Sequence, residues 1–327
     1  IFAGLCSPAI IYYIKYLLML ASLYFEVPLP ESLVITHDRI SSYIPKISYV
    51  FFCLPAYAVA LGYMISLLRK RNLDWKSALK YLTVILGILG IFYLENIKNG
   101  FLYACILIAL FFLTALFSGA MKAFVWKSYF LILILGVGAI GLTFANFLQN
   151  DSWNTFYTDI GSAINTDPAE FWDERNLAYS NNKDDRLVPS TNFDRIFYLK
   201  TAADFVKQHP LGYGLVQSSF GHIARKYFIN APLIQSHSGW MDLILGVGIP
   251  GVALLLMASI LAIAQASCAR GPWNIFGVWS LLSVVLLFCT TEVSQKNYVD
   301  TFVWLIVLIA SLSLRNSKKN LEASAIK

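Results

Sequence analysis

Apolar residues in this chain come in long blocks separated by short polar stretches: about 8–25, 47–68, 78–94, 100–118, 128–148, 237–267, 273–291 and 298–314. A helix needs about 17–25 mostly apolar residues to cross a bilayer, so the pattern predicts eight membrane spans. Lys15 lies inside the first block, Pro55 inside the second and Pro250 inside the sixth. A proline is tolerated within a span where neighbouring groups take up the hydrogen bond it removes. No set of amphipathic helices is present to surround so many apolar ones, which excludes a large soluble protein with buried helices.

Charge gives the blocks an orientation. Arg69, Lys70, Arg71, Lys76 and Lys80 follow the second block, Lys122 and Lys127 the fourth, Arg270 the sixth, and Arg315, Lys318, Lys319 and Lys327 the eighth. With eight crossings all twelve fall on one side. The opposite short loops hold only Arg39, Lys46, Lys98 and Lys296. The positive-inside rule then places both termini in the cytoplasm and residues 149–236 outside. The expected architecture is all-α, a polytopic transmembrane helical bundle with a partly helical external subdomain. Five spans fill 1–148, the subdomain 149–236, three further spans 237–314, and a basic cytoplasmic tail 315–327. The chain opens on Ile1 without a basic leader or a small-residue cleavage site. The expectation is that further spans precede it, in even number.

Composition agrees with this reading. Hydrophobic residues make up 57% and charged residues 13%, where soluble domains carry about 25% charge. The formal net charge of +6 is mostly cytoplasmic and sets topology, so it does not indicate nucleic acid. The five cysteines, Cys6, Cys53, Cys105, Cys268 and Cys289, all sit in or beside apolar blocks. They offer neither an external disulfide framework nor metal-ligand spacing.

The external segment carries the candidate chemistry. It holds 10 of the 19 acids and 8 of the 25 cations. Residues 149–192, rich in Asn, Asp and Ser, read as irregular. Residues 193–208 read as a helix whose apolar stripe is Phe193, Ile196, Leu199, Ala203 and Val206. Thr191 or Asn192 is positioned to cap its start, and His209-Pro210 to end it. The following Leu211-Gly212-Tyr213-Gly214 marks a tight turn. It serves either as a plain helix stop or as a place where backbone approaches a ligand.

His237 and Asp242 then enter the sixth apolar block. An ionisable group at membrane depth is costly and marks a candidate functional site; the alternative for His237 is an interfacial anchor. On a continuous helix the two lie about 140° apart, so Asp242 is not an obvious partner for the ring, and Ser238 shares its face better. As one straight helix, 237–267 would measure about 46 Å. A break near Gly248, with a second helix starting at Pro250, accounts for both the excess length and the Gly-Val-Gly-Ile-Pro-Gly run. Lys98, Glu292 and Asp300 fall on the external rim in this topology.

Arg175, Arg186, Arg195, Arg225 and Lys98 supply external positive charge. Guanidinium forks bind phosphate oxygens in a bidentate way, and a histidine near neutrality can take a proton from a hydroxyl. These groups suit an anionic lipid substrate with a leaving diphosphate. No carboxylate pair is placed for glycosidase chemistry, and no Asp-x-Asp run asks for a metal. No cofactor is expected.

The run His-Ser-Gly-Trp-Met-Asp-Leu-Ile-Leu-Gly-Val-Gly-Ile-Pro-Gly at 237–251 resembles the signature of the O-antigen ligase and polymerase superfamily. So do Arg195 with the His209–Gly214 turn, and the layout of a long external loop followed by three spans. The resemblance covers about 195–314. It implies transfer of a glycan from undecaprenyl diphosphate to a sugar hydroxyl at the periplasmic face of a bacterial inner membrane. His237 is then the base and Arg195 a diphosphate contact. Arg186, in preference to Arg175, is the second arginine, with Lys98 and Arg225 as further contacts and Asp242, Glu292 and Tyr213 in support. One departure stands out: where the family often shows Ser-Arg-Gly, this chain has Lys98-Asn99-Gly100, which keeps the charge and loses the fork. Members also commonly carry about four more spans ahead of the loop. The His-Ser-Gly-Trp-x-Asp form and Glu292 resemble ligases, whose acceptor is lipid A-core oligosaccharide. The alternatives are a polymerase joining carrier-linked repeats and, in another class, a lipid-linked glycan transporter. A transporter predicts paired broken spans in two related halves, and only one break is evident.

Overall fold

A computed structural model describes residues 1–30, 33, 46–69, 74–117, 126–149, 156–173, 190–215, 217–231, 233–269, 271–289 and 293–325. Among them there are helices and no strands. Each apolar block is a helix: α2 (Ser7–Phe25) after the single turn α1 (Phe2–Leu5), then α3 (Lys46–Leu68), α4 (Trp75–Leu94), α5 (Lys98–Phe117), α6 (Trp126–Gln149), α11 (Gly239–Cys268), α12 (Pro272–Leu287) and α13 (Lys296–Ala325). Six of them are long and apolar enough to cross a membrane, while Leu133–Leu148 and α12 are shorter apolar helices. The protein is a multi-pass membrane protein. The expected tail at 315 starts as a continuation of α13.

The chain divides into two compact units. The first comprises Ile1–Asn146 and Ile275–Val284. Its central helix is α3, flanked by α1, α2, α4 and α5 and almost wholly buried, including Pro55. Gly62 lets α3 meet the Trp279 indole, where an added Cβ would come within 2.6 Å of Nε1. Asp74 caps α4 by accepting from the amides of Lys76 and Ser77 at 3.1 and 3.4 Å, supplying partners that the first turn lacks. At the other end Asn96 turns with φ 50° and accepts from Asn146 Nδ2 at 3.1 Å. Tyr12 Oη donates to buried Glu95 at 2.9 Å. Lys98 is the partly buried first residue of α5 beside this turn.

The second unit comprises Phe147–Asn274 and Val285–Lys327. It holds the subdomain helices α7 (Phe156–Asn165), α8 (Pro168–Asp173), α9 (Ser190–Gln208) and α10 (Ser219–Tyr227), together with α11 and α13. Part of the stretch expected to be irregular is therefore helical. Its polar residues act as caps: Asp167 Oδ1 accepts from the Ala169 amide at 2.7 Å. Lys200 Nζ donates to the carbonyls of Ile164 and Thr166 at 2.7 and 2.9 Å, closing the end of α7.

α9 stops at Gln208 as expected but starts at Ser190, so Thr191 and Asn192 lie inside it, and its buried face matches the anticipated stripe only in part. Phe193, Phe197, Tyr198, Ala202 and Phe205 are buried, whereas Leu199 is 39% exposed. Phe193 belongs to both faces, and Ile196 and Val206 pack against the core partly buried, but at about 100° per residue the buried face is centred nearly half a turn from the anticipated stripe. The aromatic side outweighs the aliphatic one because each large ring buries more surface. Phe197 lies 4.2 Å, centroid to centroid, from Phe171, and Tyr198 stacks on Trp172 at 5.7 Å. Thr201 fits on this face by donating to the Phe197 carbonyl at 2.9 Å. Asn192, inside the helix, is not its cap; its amide reaches Asp159 of α7 at 3.1 Å.

The anticipated break in α11 is present: Gly248 has φ 76° and ψ 172°. A straight helix would pair Ile249 N–H with Leu245 C=O, and residue 250 with Gly246 C=O, but Pro250 has no N–H. The orphaned groups are taken up by the His209–Gly214 turn. Tyr213 N donates to Leu245 O and Gly214 N to Gly246 O, both at 2.8 Å, and Ile249 N donates to Pro210 O at 2.9 Å. Backbones approach closely enough that a Cβ on Gly212 would fall 2.7 Å from Gly246 O, and one on Gly248 2.5 Å from Leu211 O. Both glycines also have positive φ, the region open to Gly and costly for other residues. Gly212→Ala and Gly248→Ala are each expected to destabilise the protein by about 2 kcal/mol or more. Gly161→Ala, where nothing lies within 4 Å, is expected to be neutral or stabilising by up to about 1 kcal/mol. Thermal unfolding of the three purified variants in one detergent checks the ranking.

Candidate functional site

The site is built in the second unit, at the start of α11. Ser238 is the N-cap, in extended backbone, and its hydroxyl accepts from the Met241 amide at 3.4 Å. His237 therefore precedes the helix, and an angle measured round the helix does not describe its relation to Asp242. Its φ is 60°, an uncommon setting for a residue with a Cβ. The chain reaches it along 233–236, which packs on α10. Gly221 N donates to Ile234 O at 2.9 Å, and a Cβ on Gly221 would lie 2.7 Å from that oxygen.

Asp242, fully buried, folds back over this entry. Its Oδ1 accepts from the Ser236 amide at 3.1 Å and its Oδ2 from the Ser294 hydroxyl at 2.8 Å. Ser236 Oγ donates to Ser238 O at 3.0 Å. Asp242 thus partners the backbone on the N-terminal side of His237 and the segment leading into α13. Trp240 caps α12: its amide donates to Phe288 O and its Nε1 to Val285 O, both at 3.0 Å.

The His237 ring lies flat on Tyr198, with centroids 5.6 Å apart and planes within 6°. Tyr198 is held by Trp172 on α8 and Phe220 on α10. Arg195 is three residues earlier on α9, so it shares that face one turn away, and it is partly buried. Tyr213 sits in the turn docked on α11, its ring 4.4 Å from that of His209. Burial, and then the neighbouring Tyr227, push its phenol above the ordinary tyrosine range. Arg225 is exposed and donates through Nε to Ala231 O at 3.1 Å, which fixes the turn after α10.

The structure thus gathers His237, Asp242, Arg195 and Tyr213 around α9 and the first half of α11. Arg225 lies on the adjoining α10. Lys98 belongs to the first unit, and Arg175, Arg186 and Glu292 lie outside the described residues. Tyr198, Ser236 and Ser294 were not anticipated. The spacing of Tyr198 from Arg195 was a usable signal for the first; nothing local marks the two serines.

A family model described as O-antigen ligase matches residues 82–256, from α4 through the break in α11. The chain belongs to the O-antigen ligase family. Comparison with curated proteins and with solved structures gives no significant match. Membership supports glycosyl transfer of the ligase or polymerase type as the activity class, acting on a lipid-linked glycan. For this O-antigen ligase family member, Tyr198→Ala is expected to cost about 3–5 kcal/mol of stability, as for other large buried rings. Tyr198→Phe, which keeps the stack, is expected to cost about 1 kcal/mol or less. Denaturant unfolding of the two variants measures the difference.

Proposed function

We propose that the protein is an O-antigen ligase: a metal-independent glycosyltransferase moving a polysaccharide from undecaprenyl diphosphate to a sugar hydroxyl of lipid A-core oligosaccharide. The reaction takes place at the periplasmic face of a bacterial inner membrane. The observation that carries this reading is a histidine held off-helix against Tyr198, with Arg195 one turn along the same face of α9, in a chain of this family.

In the proposed step His237 accepts the proton of the acceptor hydroxyl. The oxygen attacks the anomeric carbon from the side opposite the carrier. The bond from that carbon to the diphosphate oxygen breaks, and the electron pair leaves with the diphosphate. Arg195 stabilises the charge developing there, with Arg225 and Arg186 as further cationic candidates. One displacement inverts the configuration at the anomeric carbon. A buried Asp242 bonded to two serines is not placed as a nucleophile in this scheme.

His237→Ala is expected to lower transfer by about 10²–10⁴-fold, the usual contribution of a general base. Arg195→Ala is expected to weaken use of the carrier-linked donor. The measurement is reconstitution of the purified protein with a carrier-linked glycan, offering lipid A-core or a second carrier-linked repeat as acceptor. Transfer to lipid A-core with an inverted linkage supports the ligase reading. Elongation of the carrier-linked chain makes the protein a polymerase, and a retained configuration or full activity of His237→Ala overturns the mechanism.

A further inference from the structure

We propose that Asp242 is a positioning residue that holds His237 in its working conformation through the backbone, without touching the ring or the substrate. The inference rests on the reading of His237 as the base.

Three observations carry it. His237 has φ 60°, an uncommon setting for a residue with a Cβ, held at some cost where the surrounding backbone is fixed. The peptide on its N-terminal side is fixed by Asp242, whose Oδ1 accepts from Ser236 N. The residue on its other side is the N-cap, tied to Asp242 through the bond from Asp242 N to Ser238 O at 3.0 Å. The Asp242 side chain therefore grips the chain before His237, while its backbone N–H closes the first turn of α11 after it. Its second oxygen accepts from Ser294, 52 residues away, so the grip is anchored outside its own helix. The fully buried Asp242 lies beneath the loop, while the imidazole is turned to Tyr198.

This arrangement differs from one in which a carboxylate hydrogen-bonds the imidazole and raises its basicity. There the negative charge does the work. Here the charge also interacts with His237, but the backbone is held by two accepted hydrogen bonds, one of which asparagine keeps while it offers a donor in place of the other. Its Oδ1 can still accept from Ser236 N, and its Nδ2 can donate to the Ser294 hydroxyl, which serves as donor or acceptor.

The test uses the full chain in lipid nanodiscs with ¹³C-labelled histidine. Only four histidines are present, so the His237 ring resonance is assigned by its disappearance in His237→Gln. The parallel Tyr198 ring, 5.6 Å away centroid to centroid, displaces that resonance from its free-histidine position. In Asp242→Ala the displacement is expected to vanish. Its kcat for glycan transfer should fall about 100-fold, the scale of an ångström-level misplacement, with the donor KM little changed. Asp242→Asn is expected to restore the displacement and to recover most of the lost kcat. Ser294→Ala, which removes one hydrogen bond, is expected to lower kcat about fivefold. If Asp242→Ala does not fold, Asp242→Asn and Ser294→Ala carry the test. An unmoved His237 resonance in Asp242→Ala, an Asp242→Asn variant as impaired as Asp242→Ala, or an unaffected Ser294→Ala overturns the proposal. Full transfer by His237→Ala overturns the base reading instead, and the resonance still reports whether Asp242 sets the ring.

Discussion

A helix that breaks inside an apolar block leaves backbone groups that must find partners, because an unpaired amide or carbonyl away from water is costly. In α11 the break at Gly248 and the missing N–H of Pro250 release Leu245 O, Gly246 O and Ile249 N. All three pair with the 210–214 turn. Much of the second unit depends on this exchange. It joins the end of α9 to the middle of α11, and Leu245 becomes part of the aromatic core shared by α8, α9 and α10. The same docking brings the Arg195 and Tyr198 face of α9 to the entry of α11. The two glycines are chosen by closeness of approach as much as by their dihedral angles, and the Pro-x-Gly-x-Gly turn and the Gly-x-Pro break form one matched surface.

The membrane helices were legible because length and apolarity alone decide them. Each of the eight blocks became a helix, including those containing Lys15, Pro55 and Pro250. The break was legible too, since a proline after closely spaced glycines in an overlong block leaves few other solutions. The subdomain was harder to read. Its helices α7 and α8 are short and polar, and they depend on partners distant in sequence: Lys200 closes α7, and Phe171 and Trp172 on α8 find their surroundings on α9. The buried face of α9 is not legible from the spacing of its aliphatic residues, because the larger area of the rings on the other side decides which side packs.

At the site, His237 and Arg195 could be singled out from residue type and position. The role of Asp242 could not, because its partners lie six and 52 residues away. Treating His237 as part of the helix also gave a false angle between the two. The cap at Ser238 places the histidine in the loop, where backbone contacts govern its orientation. Tyr198 escaped notice for a related reason. An aromatic residue on an apolar helix face reads as core, and it is core, but its outer face supports the imidazole.

The length of α11 beyond its break bears on how such a protein reaches its substrate. Pro250–Cys268 is a helix of about 28 Å, close to the roughly 30 Å of bilayer hydrocarbon. The residues ahead of the break, Gly239–Val247, are therefore surplus to the crossing. At about 1.5 Å each they form a spacer of about 14 Å leading up to His237, held by the docked turn at its end beside the break. A carrier lipid presents its diphosphate at a depth fixed by the bilayer. On the proposed reading of His237 as the base, a spacer of set length acts as a ruler, giving the histidine a fixed height relative to the headgroups however long the attached glycan grows.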